Sequence, residues 1–284
     1  MSKNRVSIII TGIVISLIFL ISVGESWAVG PFENIPAEQG LYFAPTISYS
    51  SSSSLMDKNG HKLSTKFGLN TYDTVLRFMY YDNATLPQSS TVQIMLPVGR
   101  TEAPGQHDTG IGDTTIVAGY WLIDDPVSRT WLAAGSYVDF PTGSYNKNAT
   151  TNRGGRVWKV RPTIVFAQQF GRFDLELTTK YNVYTKNVDT GLKKGSEVIF
   201  EELIAYSLTR DFLIGMHLNE IYGSADVTNG VKKHGSDVRK YQTGPSVRVV
   251  LGPKTTMFID YLRDFAVKNT AKGNLITLQL RLKL

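Results

Sequence analysis

From Gly273 to its last residue the chain reads G-N-L-I-T-L-Q-L-R-L-K-L. Ile276, Leu278, Leu280, Leu282 and Leu284 alternate with Thr277, Gln279, Arg281 and Lys283. A period of two describes a strand with two unlike faces. Soluble antiparallel sheets show it too, because one of their faces often meets water. The length here suits a tilted membrane-crossing strand of about 9–11 residues, and the chain ends on it. Lipid tolerates no open sheet edge, so this last strand is expected to close a barrel by pairing with the first.

Similar alternation recurs upstream. Phe43, Pro45, Ile47 and Tyr49 share one face of a first strand, and Leu76, Phe78 and Tyr80 one face of a second. The clearest hairpin turns at Gly171. Before it, Trp158, Val160, Pro162, Ile164 and Phe166 alternate with Lys159, Arg161 and Thr163. After it, Phe173, Leu175, Leu177, Tyr181 and Val183 alternate with Asp174, Glu176, Thr178, Lys180 and Asn182. The fourth segment, Thr114 to Ile123, is apolar on both faces and has no readable orientation. In the eighth, Glu202 interrupts the alternation, which predicts a β-bulge.

The connections read as long after strands one, three, five, seven, nine and eleven. They read as tight after four, six, eight and ten, and intermediate after two. Membrane barrels have short periplasmic turns and long outer loops. The pattern therefore predicts an all-β chain forming a transmembrane, antiparallel, up-and-down β-barrel of about 12 strands, an even number as single-chain bacterial barrels have. Residues 29–40, with Pro31 and Pro36, read as a short periplasmic lead-in, too short for a plug.

Composition adds the route. Lys3 and Arg5 precede an apolar run from Ser7 to Val23, and Ser26-Trp27-Ala28 offers a cleavage site. This predicts a signal peptide over residues 1–28 and a barrel over 29–284, in the bacterial outer membrane; an uncleaved anchor is the alternative. Without cysteine there is no disulfide framework or thiolate metal site. Loss of Lys3, Arg5 and Glu25 takes the net charge from +6 to +5. For an exported chain, that basic balance points to the phosphates of outer-membrane lipid and lipopolysaccharide rather than to nucleic acid. A mean hydropathy of −0.11 fits alternation in which apolar and polar positions cancel.

The candidate site is the inward face. Lys159, Arg161, Asp174, Glu176 and Lys180 lie on the polar side of the clear hairpin. Glu201, His217, Asn219, Arg248 and Asp260 occupy inward positions of later strands. Gln279, Arg281 and Lys283 come from the closing strand. Two readings of these groups stand side by side: a structural network filling a narrow barrel, and a charge-lined solute path.

Other motifs carry less. Gly110-Ile111-Gly112-Asp113 leads into a strand, so it reads as a turn rather than a phosphate loop. His61, His107 and His234 fall in loops without metal spacing. A twelve-strand outer-membrane phospholipase pairs His and Ser two apart on one strand. Here Gly215 and Asn219 flank His217 at that distance, so no nucleophile stands there. No cofactor, metal or catalytic residue is expected.

Several segments together resemble a known family: the exported β-barrels named for a meta-pathway of phenol degradation, also labelled SphA-family transporters. They are Asp57-Lys58-Asn59-Gly60, Gly110-Ile111-Gly112-Asp113, Phe140-Pro141-Thr142-Gly143, Gly244-Pro245-Ser246-Val247 and Tyr261-Leu262-Arg263-Asp264-Phe265. The resemblance implies an outer-membrane location and uptake of small aromatic or apolar compounds such as phenols. Many outer-membrane barrels end on an aromatic residue, whereas this chain ends on Leu284. Three function classes follow: a channel or transporter for small organic solutes, a structural or surface-binding barrel, and a membrane lipid-modifying enzyme. The first is favoured.

Overall fold

The computed structural model describes residues 32–63, 67–149 and 151–284. The expected signal peptide, 1–28, lies outside the described residues.

Twelve membrane-crossing strands follow one another. Strand β1 has two segments, Gly40–Phe43 and Thr46–Leu55, broken at Ala44-Pro45 where proline has no N–H to give. After it come β2 (Leu69–Asp82) and β3 (Ser90–Ala103). Strand β4 is again in two segments, Gln106–Ile111 and Thr114–Asp125. The series continues with β5 (Thr130–Phe140), β6 (Lys159–Phe170), β7 (Phe173–Tyr184) and β8 (Glu197–Ser207). It ends with β9 (Phe212–Gly223), β10 (Arg239–Gly252), β11 (Thr255–Lys268) and β12 (Ala271–Lys283). Each strand pairs antiparallel with its sequence neighbours. Closure comes from β12: Phe43 lies opposite Leu282, and Ile47 opposite Leu278. Every edge is thereby paired, which hydrocarbon demands.

The period-two pattern sorts the faces. On β12, Thr277 and Gln279 are buried inward while Ile276 and Leu278 are exposed outward. Strand β4 acquires its orientation here: Thr115, Val117 and Trp121 are buried, Ile116 and Leu122 exposed. Outward aromatic pairs ring both rims. Near the outer rim, Phe140 packs tilted against Trp158 and Tyr49 against Tyr72, and Phe200, Tyr222, Tyr241 and Phe265 make a continuous row. At the periplasmic rim, Phe43 meets Phe78 and Phe173 meets Tyr206. Such girdles bound the apolar belt of an outer-membrane barrel.

Three sequence expectations need correction. The links after β3 and β11 are tight, at Pro104-Gly105 and Asn269-Thr270. The stretch Arg100–Thr109 reads as loop because strands that rise beyond the membrane lose the apolar lipid-facing side and with it the alternation. Next, β8 carries no bulge at Glu202: its register runs unbroken against both β7 and β9. Glu202 instead points outward, two residues from Phe200 of the outer girdle. Finally, residues 32–39 are not a periplasmic lead-in. They turn up from Gly40 into the barrel, where Phe32, Glu33 and Asn34 are buried.

Candidate functional site: the occupied lumen

The inserted segment is held mainly by polar bonds to the wall. Glu33 Oε2 accepts from Arg77 Nη1 at 2.7 Å, and its Oε1 from Gln279 Nε2 at 2.8 Å. Arg77 is aimed by β3, since its Nε and Nη2 both donate to Gln93 Oε1, at 2.9 and 2.7 Å. Arg77 is 2 % and Glu33 4 % exposed, so each charge needs the other. Asn34 donates to Thr178 Oγ1 at 3.0 Å, and its carbonyl accepts from Trp121 Nε1 at 3.1 Å. Across the lumen, the Phe32 N–H donates to Glu176 Oε2 at 3.1 Å. The Phe32 ring stacks on Phe258, 6.4 Å between centroids. Arg248 lies over Phe32 and Arg281 over Phe258, at 5.9 and 5.0 Å, so a cation faces each ring. Phe32 holds a positive φ of 70°, which a bulky residue adopts only where contacts fix it. Below, Glu38 meets Lys283 Nζ at 2.6 Å; that bond holds the Glu38 carboxyl below the usual carboxylate range.

A second constriction comes from the outer side. The loop residues 151–158 fold inward, and Arg153 is buried between Thr101 and Asp73, bonding both. Asp113, in the break of β4, clasps this loop. Its two oxygens accept from Gly143 N at 2.9 Å and Gly155 N at 2.8 Å. Two of the family-like motifs, G-I-G-D and F-P-T-G, thus meet in space. Gly143 and Gly154 cross so closely that a Cβ on Gly143 would stand 2.6 Å from the Gly154 Cα; any side chain would force the loop apart.

Between the constrictions the inward charges are paired. Lys180 bridges Glu201 at 2.6 Å, and Arg161 bridges Asp139. Lys159 lies 5.4 Å over the Tyr184 ring, whose hydroxyl donates to buried Glu197. Asn219 donates to Gln242, and nearer the periplasmic mouth Asp174 accepts from Gln169. His217 Nδ1 is 3.2 Å from Asp260, and Ser246 donates to the same carboxylate. A hydrolytic triad needs the imidazole between acid and hydroxyl; here Asp260 is the shared partner.

Of the sequence-derived candidates, Glu176, Arg248, Gln279 and Lys283 are brought against the inserted segment, and Arg281 against Phe258, on which Phe32 stacks. The others form separate pairs along the wall. Sequence reasoning missed Glu33, Arg77, Gln93 and Arg153.

Fold and lumen together define a transmembrane β-barrel of the outer-membrane type, its bore narrowed by two parts of its own chain. Residues 52–280 match the family described as "Putative MetA-pathway of phenol degradation", and the chain belongs to that family. Comparison with curated proteins finds no match in sequence. Among solved structures, an outer membrane channel from Pseudomonas putida F1 is similar at a TM-score of 0.84 and 21 % identity, over 90 % of this chain and 100 % of that one. The β-domain of the Bordetella autotransporter BrkA gives 0.52 and 10 %, over 87 % and 100 %. The translocator domain of the autotransporter NalP from Neisseria meningitidis gives 0.51 and 7 %, over 87 % and 90 %. At these identities the likeness is one of fold.

Proposed function

We propose that this protein is a bacterial outer-membrane channel for small organic solutes, gated by its own N-terminal segment and by the inward loop around Arg153. The carrying observation is what fills the bore. Wall residues alone do not; a tethered segment and a folded loop do, and bonds to wall side chains hold them. A barrel built only for support has no need of removable occluders. The similar Pseudomonas structure, called an outer membrane channel, and the family's link to phenol degradation support the same reading, with aromatic or apolar solutes as cargo. The paired wall charges line the path and carry no catalytic step.

The reading includes export by a signal peptide cut after Ala28. Phe32 lies inside the barrel, and an uncut apolar run over 7–23 would have to thread the bore. Contact with lipopolysaccharide phosphates is supported by Lys232, His234 and Arg239, all exposed in or beside the 224–238 loop. The test is conductance of the folded protein in planar bilayers. Shortening 150–156 should raise it, and Lys159→Glu with Arg161→Glu should weaken or reverse an anion preference. A folded protein that conducts neither before nor after loop shortening, and passes no solute into liposomes, would make the barrel structural.

A further inference from the structure

The seat of Glu33 has the chemistry of a carboxylate receptor. Both its oxygens are taken, by groups on β2 and β12. Gln93 orients the Arg77 guanidinium through two bonds that do not involve the segment. The receptor therefore belongs to the wall and is set up before Glu33 arrives.

Beside it the wall is hollowed. Thr91 lies opposite Gly119, Gly119 opposite Gly135, and Gly135 opposite Thr163. This gives an inward row across β3 to β6 with no side chain longer than threonine. Val117 and Tyr137 border it above, Trp121 and Ala133 below. These residues, with Tyr81, line one cavity that Arg77 and Gln93 border at one end and Glu33 and Asn34 cover from the lumen. Sheet pairing satisfies the backbone groups of that floor, so the trench is apolar with a charged end.

We propose that the Glu33 carboxylate is an internal stand-in for the carboxylate of an aromatic monocarboxylate solute, whose ring takes the Gly119–Gly135 trench as the segment withdraws. The charge follows from Arg77: once Glu33 leaves, a buried guanidinium stands unpaired, and only another anion restores the balance. The flat body follows from the glycine floor and the bordering Tyr81, Trp121 and Tyr137. A second charge on the solute would enter the apolar trench at a desolvation cost, which selects monoanions. Because the competitor is tethered, the solute is held weakly and released, as passage requires. The proposal deepens the channel reading and rests on it for transport, though not for binding.

The test is calorimetric titration of the purified, detergent-solubilised barrel with benzoate, benzamide and acetate. A short tether keeps its ligand at an effective concentration of about millimolar, so Glu33→Ala should tighten benzoate by at least roughly tenfold. Benzamide should gain nothing. A Gly119 Cβ would meet Thr91 Cγ2 at 3.3 Å and the Ala134 carbonyl oxygen at 4.0 Å, contacts the wall can absorb; Gly119→Val in the Glu33→Ala background should therefore lower benzoate affinity and spare acetate. Where Glu33→Ala fails to fold by gel mobility, Glu33→Gln replaces it. A folded variant with no benzoate gain overturns the proposal, and so does an equal gain for acetate, which would mean an anion site only. Bilayer conductance of the same protein separates the two readings. Binding without conductance removes the channel and keeps the site; conductance without binding does the reverse.

Discussion

The Glu33–Arg77 pair joins a wall that cannot move to a segment that can, and the two single substitutions should differ for that reason. Glu33→Ala strands Arg77 inside the barrel between β1 and β3, with only Gln93 as acceptor. Breaking a buried pair by removing one partner costs about 3–5 kcal/mol. The cost falls on the folded barrel because the truncated segment, still held through Phe32 and Asn34, stays seated over Arg77. Arg77→Met removes the cation instead. Glu33 can then withdraw through the periplasmic mouth and hydrate, so the barrel should lose much less, about 1 kcal/mol or below, the range in which replacing buried ions by apolar groups is near neutral. The double variant should match Arg77→Met. Two readouts check this: unfolding by guanidinium in detergent, followed through tryptophan fluorescence, and thiol labelling of Asn34→Cys. The chain has no cysteine, so the label reports one place. Labelling should be slow with Arg77 present and fast in Arg77→Met. Equal destabilisation by both single changes, or unchanged labelling in Arg77→Met, would refute the argument that the segment is free to leave.

On the outer wall, Leu177→Lys places a cation in the apolar belt and should cost about 2–4 kcal/mol near the midplane, whereas Glu202→Leu should stabilise, both read by guanidinium unfolding in lipid vesicles. Deleting Gln279–Leu284 removes half of β12 and leaves two unpaired edges in lipid; no heat-shifted folded band should remain on a gel. The Glu38–Lys283 bond depresses the Glu38 pKa, so its contribution is present above the usual carboxylate range and is lost as pH falls through the lowered value. A spin label at Gln39→Cys should accordingly gain mobility only under strongly acidic conditions, and Glu38→Gln should abolish that pH dependence.

Alternation carried most of the fold into view in advance. Lipid on one side and a charged bore on the other force period two wherever a strand crosses the belt, and β6, β7 and β12 show it without interruption. It fades where that asymmetry fades. The upper halves of β3 and β4 have water outside and the polar inturned loop inside, so neither face is apolar and Arg100–Thr109 reads as a loop. Glu202 interrupts the alternation and suggests a bulge because a carboxylate on the lipid face is costly; the strand keeps its register and bears it. The lumen was less legible. Its wall charges could be placed by counting along strands, but their partners depend on strand closure and on loops that enter the bore. Phe32, Glu33 and Asn34 form no regular element, and nothing local marks them as buried. Arg153 sits in a polar stretch whose inward fold is set by Asp113, forty positions earlier by its bond to Gly155.

The bond from Glu33 to Gln279 spans 246 positions, nearly the whole chain, and this fixes when it can form. Its receptor is split between β2 and β12, and β12 finds its place only as the ring closes. Long-range closures of this kind come late in folding. The seat for the segment therefore does not exist in an unfinished barrel. Any half-built intermediate is unoccupied at its centre, and seating of the segment marks the moment at which the wall is complete.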